Sequence, residues 1–71
     1  MDQPSLDLLL RLAGEVLRRP VGPEDNFFAL SADSLAAVEY SLRVEEALGR
    51  EVDIALLYEA ATFADYARLV G

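Results

Sequence analysis

A chain of 71 residues without a single cysteine has only side-chain packing to hold it together. A domain of this size buries about 60% of the surface its unfolded chain exposes, so its net stability is about 3–5 kcal/mol. The residues available favour one solution. The chain is 54% hydrophobic, with 4 glycines and 3 prolines. Alanine, leucine, glutamate and arginine dominate, all good helix formers, and the β-branched runs that mark strands are missing. The expected fold class is all-α, a single domain over residues 1–71.

Charge and inventory narrow the function. Thirteen acidic residues against six basic ones give a net charge of −7, and every basic residue is an arginine. Nucleic acid is excluded as a partner, because neutralising phosphates needs the opposite sign; basic protein surfaces suit this chain better. No apolar run reaches membrane-spanning length, and no basic–apolar leader precedes the first periodic segment. The expectation is a cytoplasmic monomer with no membrane partner. Met1 and the short tails fit a free-standing protein and an excised domain equally well. With no histidine, cysteine or lysine, the common nucleophile–base pairs and the nitrogen or sulfur metal sites cannot be assembled. The chain reads as a non-enzyme without a metal site.

Helical periodicity then divides the chain. Leu6, Leu9, Leu10, Ala13, Val16 and Leu17 share one face of a helix over about 6–18, with Ser5 as its N-cap and Pro20 as its stop. Residues 20–33 form a loop punctuated by Pro20, Gly22 and Pro23, yet Val21, Phe27, Phe28 and Leu30 are too apolar to leave in water. Asp33 caps a second helix over about 34–48, closed by Gly49. A short helix covers 54–58. Thr62-Phe63-Ala64-Asp65 resembles a capping box that opens a last helix over 63–70. The expected core comprises Val16, Leu17, Phe28, Val44, Leu48, Phe63 and Tyr66.

The second helix carries two apolar arcs when its residues are set at about 100° each. One holds Ala37, Tyr40, Val44 and Leu48, with the small Ser41 among them. The other holds Leu35, Val38 and Leu42, flanked by Glu39, Arg43 and Glu46. Two arcs mean either a helix buried on both sides or one strip left for a partner.

The stretch Asp25-Asn26-Phe27-Phe28-Ala29-Leu30-Ser31-Ala32-Asp33-Ser34-Leu35 resembles the phosphopantetheine attachment region of carrier proteins, and its first half is most similar to the peptidyl carriers of nonribosomal peptide synthetases. The likeness continues through Leu48-Gly49 and Leu57-Tyr58-Glu59-Ala60-Ala61-Thr62-Phe63. Ser31-Ala32 stands where peptidyl carriers usually have Gly-Gly, Ala61 where proline is common, and Ala32-Asp33-Ser34-Leu35 with Val38-Glu39 is closer to acyl carriers. The resemblance implies a small acyl-carrier-like four-helix bundle, three longer helices and one short. It implies covalent attachment of 4'-phosphopantetheine from coenzyme A at Ser34, with Asp33 as its motif neighbour. The implied function is to shuttle thioester-bound aminoacyl or peptidyl groups in nonribosomal peptide biosynthesis. The implied partners are a phosphopantetheinyl transferase, an adenylating or acyl-loading enzyme, and condensing, tailoring or thioesterase enzymes. They would dock on Leu35, Val38, Glu39 and Leu42. Two alternatives stand beside this: an acyl carrier for polyketide or fatty-acid chains, and an acidic helical interaction module whose serine is never modified.

Overall fold

The computed structural model describes residues 5–30 and 33–71. Four α-helices follow one another: α1 Leu6–Leu17, α2 Ser34–Leu48, α3 Ala55–Glu59 and α4 Phe63–Val70, with a 3₁₀ turn over Phe28–Leu30 between α1 and α2. No strand occurs among the described residues. α1 packs on α2 and α4, and α3 packs on α4.

Each long helix starts at a side-chain cap. Ser5 accepts from the Leu8 N–H, Asp33 from Ala36 and Thr62 from Asp65. Each cap satisfies one of the donors that a helix start leaves without an intrahelical partner. Asp65 completes a variant of the capping box. Its carboxylate accepts from the N–H of Ala61 at 3.0 Å and pairs with Arg68. The Ala61 N–H, with Arg68 beside it, holds the Asp65 carboxyl below the usual range.

The helix ends differ from one another. α2 closes on Gly49 at φ 70°, where the left-handed conformation carries no Cβ penalty. α1 ends before its expected stop at Pro20: Arg18 itself turns left-handed at φ 59°, and its N–H bonds the Gly14 carbonyl at 2.7 Å. The chain doubles back so tightly that a Cβ on Gly14 would lie 3.1 Å from the Arg19 carbonyl oxygen.

The core centres on Leu9, Ala13, Ala37, Tyr40, Val44, Phe63 and Tyr66. Val44, Phe63 and Tyr66 were expected there. Val16, Leu17, Phe28 and Leu48 are instead half-buried and packed against its edge. The reason is position: Val16, Leu17 and Leu48 occupy the last turns of their helices, where the bundle opens to water. Phe28 lies in the 3₁₀ turn and stacks on exposed Tyr58 with ring centroids 4.6 Å apart. Its neighbour Phe27 takes the central place, stacked on Tyr40 at 5.1 Å and edge-on to Phe63. Tyr40 is fully buried, and its hydroxyl donates to the Leu9 carbonyl at 2.9 Å, tying α2 to α1. Burial pushes the Tyr40 phenol well above its ordinary range, so it stays a neutral donor.

Candidate functional site

The loop between α1 and α2 is fixed mainly by Asn26. The side-chain oxygen of Asn26 accepts from the N–H groups of Phe28 and Ala29 at 2.9 and 3.0 Å. Its amide nitrogen donates to the carbonyls of Ala60 and Ala61 at 3.3 and 2.9 Å. The carbonyls of Asp25 and Pro23 accept from Phe63 and Ala64, the first N–H groups of α4. One asparagine thus sets the 3₁₀ turn and holds it to the α3–α4 junction. Ser31-Ala32, where the sequence departs from the usual glycines, lies outside the described residues.

Beyond that turn, Asp33 is extended at φ −101°, ψ −176°, and its Oδ1 accepts from the Ala36 N–H at 2.9 Å. Ser34 follows as the first residue of α2 and is exposed. The N–H groups of Ser34 and Leu35 belong to the helix start, where no intrahelical acceptor exists. A phosphodiester on the Ser34 oxygen would sit beside these donors and at the positive end of the helix dipole, worth about 0.3–1 kcal/mol. Asp33 opposes this by like charge, and its capping bond offsets part of that. The hydroxyl, its exposure and the donors around it fit an attached phosphopantetheine.

The two arcs of α2 separate cleanly. Ala37, Tyr40, Ser41 and Val44 are buried, whereas Leu35 is 76%, Val38 44% and Leu42 55% exposed. The strip Leu35–Val38–Leu42 therefore starts beside Ser34 and faces solvent. Glu39 is also exposed but is paired: Arg43 reaches it at 3.3 Å and reaches Glu15 of α1 at 3.4 Å. Arg43 thus leans toward α1, and exposed pairs of this kind contribute only about 0–1 kcal/mol.

Two further features were not anticipated from the sequence. Tyr58 of α3 is 55% exposed, with its ring stacked on Phe28. An open groove of about 320 Å³ lies between α2 and the segment leading into α3, lined by Val38, Ser41, Leu42, Glu45, Val52 and Ile54. The alternation in Glu51-Val52-Asp53-Ile54 was the available sign of apolar side chains turned one way. At the edge of the groove the hydroxyl of Ser41 is buried without a hydrogen-bond partner, as is that of Tyr66. Such a group costs about 1–3 kcal/mol. Burial pushes the Tyr66 phenol up to about 12; the Ser41 hydroxyl pulls it the other way, and the Glu45 carboxylate adds to the rise.

Comparison with known proteins agrees with this geometry. The family described as "Phosphopantetheine attachment site" matches residues 7–70. The chain is 46% identical over 65 residues to a dimodular nonribosomal peptide synthase of Bacillus subtilis (strain 168), covering 90% of this chain and 3% of that protein. It is 35% identical over 69 residues to CymA of Salinispora arenicola (strain CNS-205), described as a probable non-canonical nonribosomal peptide synthetase, covering 96% of this chain and 1% of the relative. The chain therefore spans only a few per cent of the length of these relatives. Among solved structures it resembles BlmI, a type-II acyl-carrier-protein from Streptomyces verticillus involved in bleomycin biosynthesis. The TM-score is 0.87 at 33% identity, with 92% of this chain and 80% of that one covered. An all-α bundle, an exposed serine at a helix start and a match across nearly the full length converge: the chain belongs to the phosphopantetheine attachment family, whose cofactor is covalent 4'-phosphopantetheine.

Proposed function

We propose that this chain is a carrier of nonribosomal peptide biosynthesis, acting in the cytoplasm, with its arm on Ser34 and aminoacyl or peptidyl groups as its cargo. The observation that carries the reading is the exposed Ser34 at the first position of α2, with Asp33 as cap and an unburied apolar strip beside it. The likeness to two synthetases and to a carrier of bleomycin biosynthesis supports the pathway.

The arm supplies a thiol that holds cargo as a thioester. With no cysteine among these 71 residues, no thiol of this chain competes for that cargo. Ser34 presents its hydroxyl to the transferase, which does the chemistry. In the transferase complex the Asp33 carboxylate has a free oxygen lone pair for a divalent cation, since capping uses one bond. Leu35, Val38 and Leu42 are the apolar anchor for successive partner enzymes, and Glu39 lies at its rim. The inventory without histidine, cysteine or lysine fits a chain that does no catalysis itself.

Loading separates this reading from its alternatives. The phosphopantetheinylated protein is expected to take up an amino acid from an adenylating enzyme and to refuse malonyl groups from an acyltransferase. Uptake of malonyl alone would move the chain to polyketide or fatty-acid synthesis.

A further inference from the structure

Three of the six arginines serve the fold: Arg43 pairs with Glu15 and Glu39, Arg68 pairs with Asp65, and Arg50 donates to the Val70 carbonyl at 2.8 Å. Arg11, Arg18 and Arg19 are different. All three are exposed, and their side chains make no hydrogen bond or ion pair among the described residues. They stay unpaired in a chain where acidic residues outnumber basic ones by 13 to 6.

The backbone gathers them at one end of α1. Arg11 and Arg18 stand about two turns apart along one helix face. Beyond Arg18 the chain folds back on the helix. The Arg19 N–H reaches the Gly14 carbonyl at 3.3 Å, and a Cβ on residue 14 would lie 3.1 Å from the Arg19 carbonyl oxygen. Gly14 is about one turn from Arg11, so this close approach returns Arg19 to the surface that Arg11 begins. Glu15, the acid within the same stretch, is engaged by Arg43, and Asp7 lies about one turn before Arg11. Three arginines against Glu15 leave residues 11–19 at a net charge of +2 in a chain of −7.

Arg18 also occupies a backbone position that disfavours it, at φ 59°, where glycine carries no Cβ penalty. The helix dipole favours a cation at this end, but Arg19 supplies one without a positive φ. Neither the dipole nor an internal ion pair accounts for a long cationic side chain at the strained position. Its use lies outside the chain. Guanidinium groups present forked donors that match carboxylates, and the negative charge of the remaining surface turns an acidic partner away from every other face.

We propose that the C-terminal end of α1, with Arg11, Arg18 and Arg19, is a second docking surface that takes a carboxylate-rich segment of a partner protein. It shares no residue with Ser34 or with the strip Leu35–Val38–Leu42, and it stands whether or not Ser34 carries an arm.

The test titrates the isotope-labelled protein with end-blocked tetraglutamate at low ionic strength and follows backbone amides together with the arginine Nε–H groups. The largest, saturating shifts are expected at Arg11, Arg18 and Arg19. Arg18→Gly is expected to raise the melting temperature and yet weaken this binding roughly two- to fivefold, the share of one exposed charge pair. A side chain that served only the fold could not do both. Arg11→Gln, in regular helix, is expected to give a similar loss without touching the strained residue. Binding unchanged in both variants, or the same shifts from sodium sulfate at equal ionic strength, would overturn the proposal. Shifts at these arginines that grow with protein concentration alone would also overturn it, by putting a second copy of this chain in the partner's place.

Discussion

Asn26 shows how much of the site hangs on one side chain outside the attachment motif. Its four hydrogen bonds join the 3₁₀ turn to carbonyls 34 and 35 residues away. Asn26→Ala would leave two N–H groups and two carbonyls to find water, in a region that is partly buried. The expected cost is about 1–3 kcal/mol by chemical denaturation; a loss within a few tenths would mean that water replaces the side chain without penalty. At this scale the sequence was legible where partners are local. Asp33 and Ser34 follow from a cap and the residue after it, and Thr62 with Asp65 from a short spacing. Asn26 was not legible, because its partners are backbone atoms of a distant segment whose identity carries no sign of the contact. The unpartnered hydroxyls of Ser41 and Tyr66 were hidden for a similar reason: only packing decides whether water reaches them.

Among the elements, the helix starts were readable from Ser5, Asp33 and Thr62, and the end of α2 from Gly49. The end of α1 was not. An arginine in the left-handed region is unfavourable, and nothing in Leu17-Arg18-Arg19-Pro20 announces it. The conformation persists because Arg18 and Arg19 both donate to the Gly14 carbonyl. Arg18→Gly removes the Cβ strain, while its freer unfolded chain takes back part of the gain. The expected result is stabilisation by about 0.5–1 kcal/mol, read as a rise of a few degrees in melting temperature. A lower melting temperature would show that the Arg18 side chain contributes more than its backbone costs.

For the whole molecule, periodicity revealed two apolar arcs on α2 but could not assign them, because which arc is buried depends on where α1, α4 and the loop lie. The assembled bundle buries the arc of Ala37, Tyr40 and Val44 and leaves Leu35, Val38 and Leu42 outside. Val38→Asp should therefore keep the helical spectrum and nearly the parental melting temperature. It should weaken partner-dependent loading severalfold, since a desolvated apolar anchor at an interface can be worth ~2 kcal/mol or more. An unfolded Val38→Asp protein would make this arc core. The four-helix bundle, the cap and the exposed strip have a common use only if Ser34 carries the arm. The most direct measurement is the intact mass of the apo protein after incubation with coenzyme A and a broad-specificity phosphopantetheinyl transferase, followed by fragmentation to locate the added group. The account predicts a gain of one phosphopantetheine unit located on Ser34 and no gain in Ser34→Ala; an unchanged parent mass, or equal labelling of the alanine variant, would contradict it.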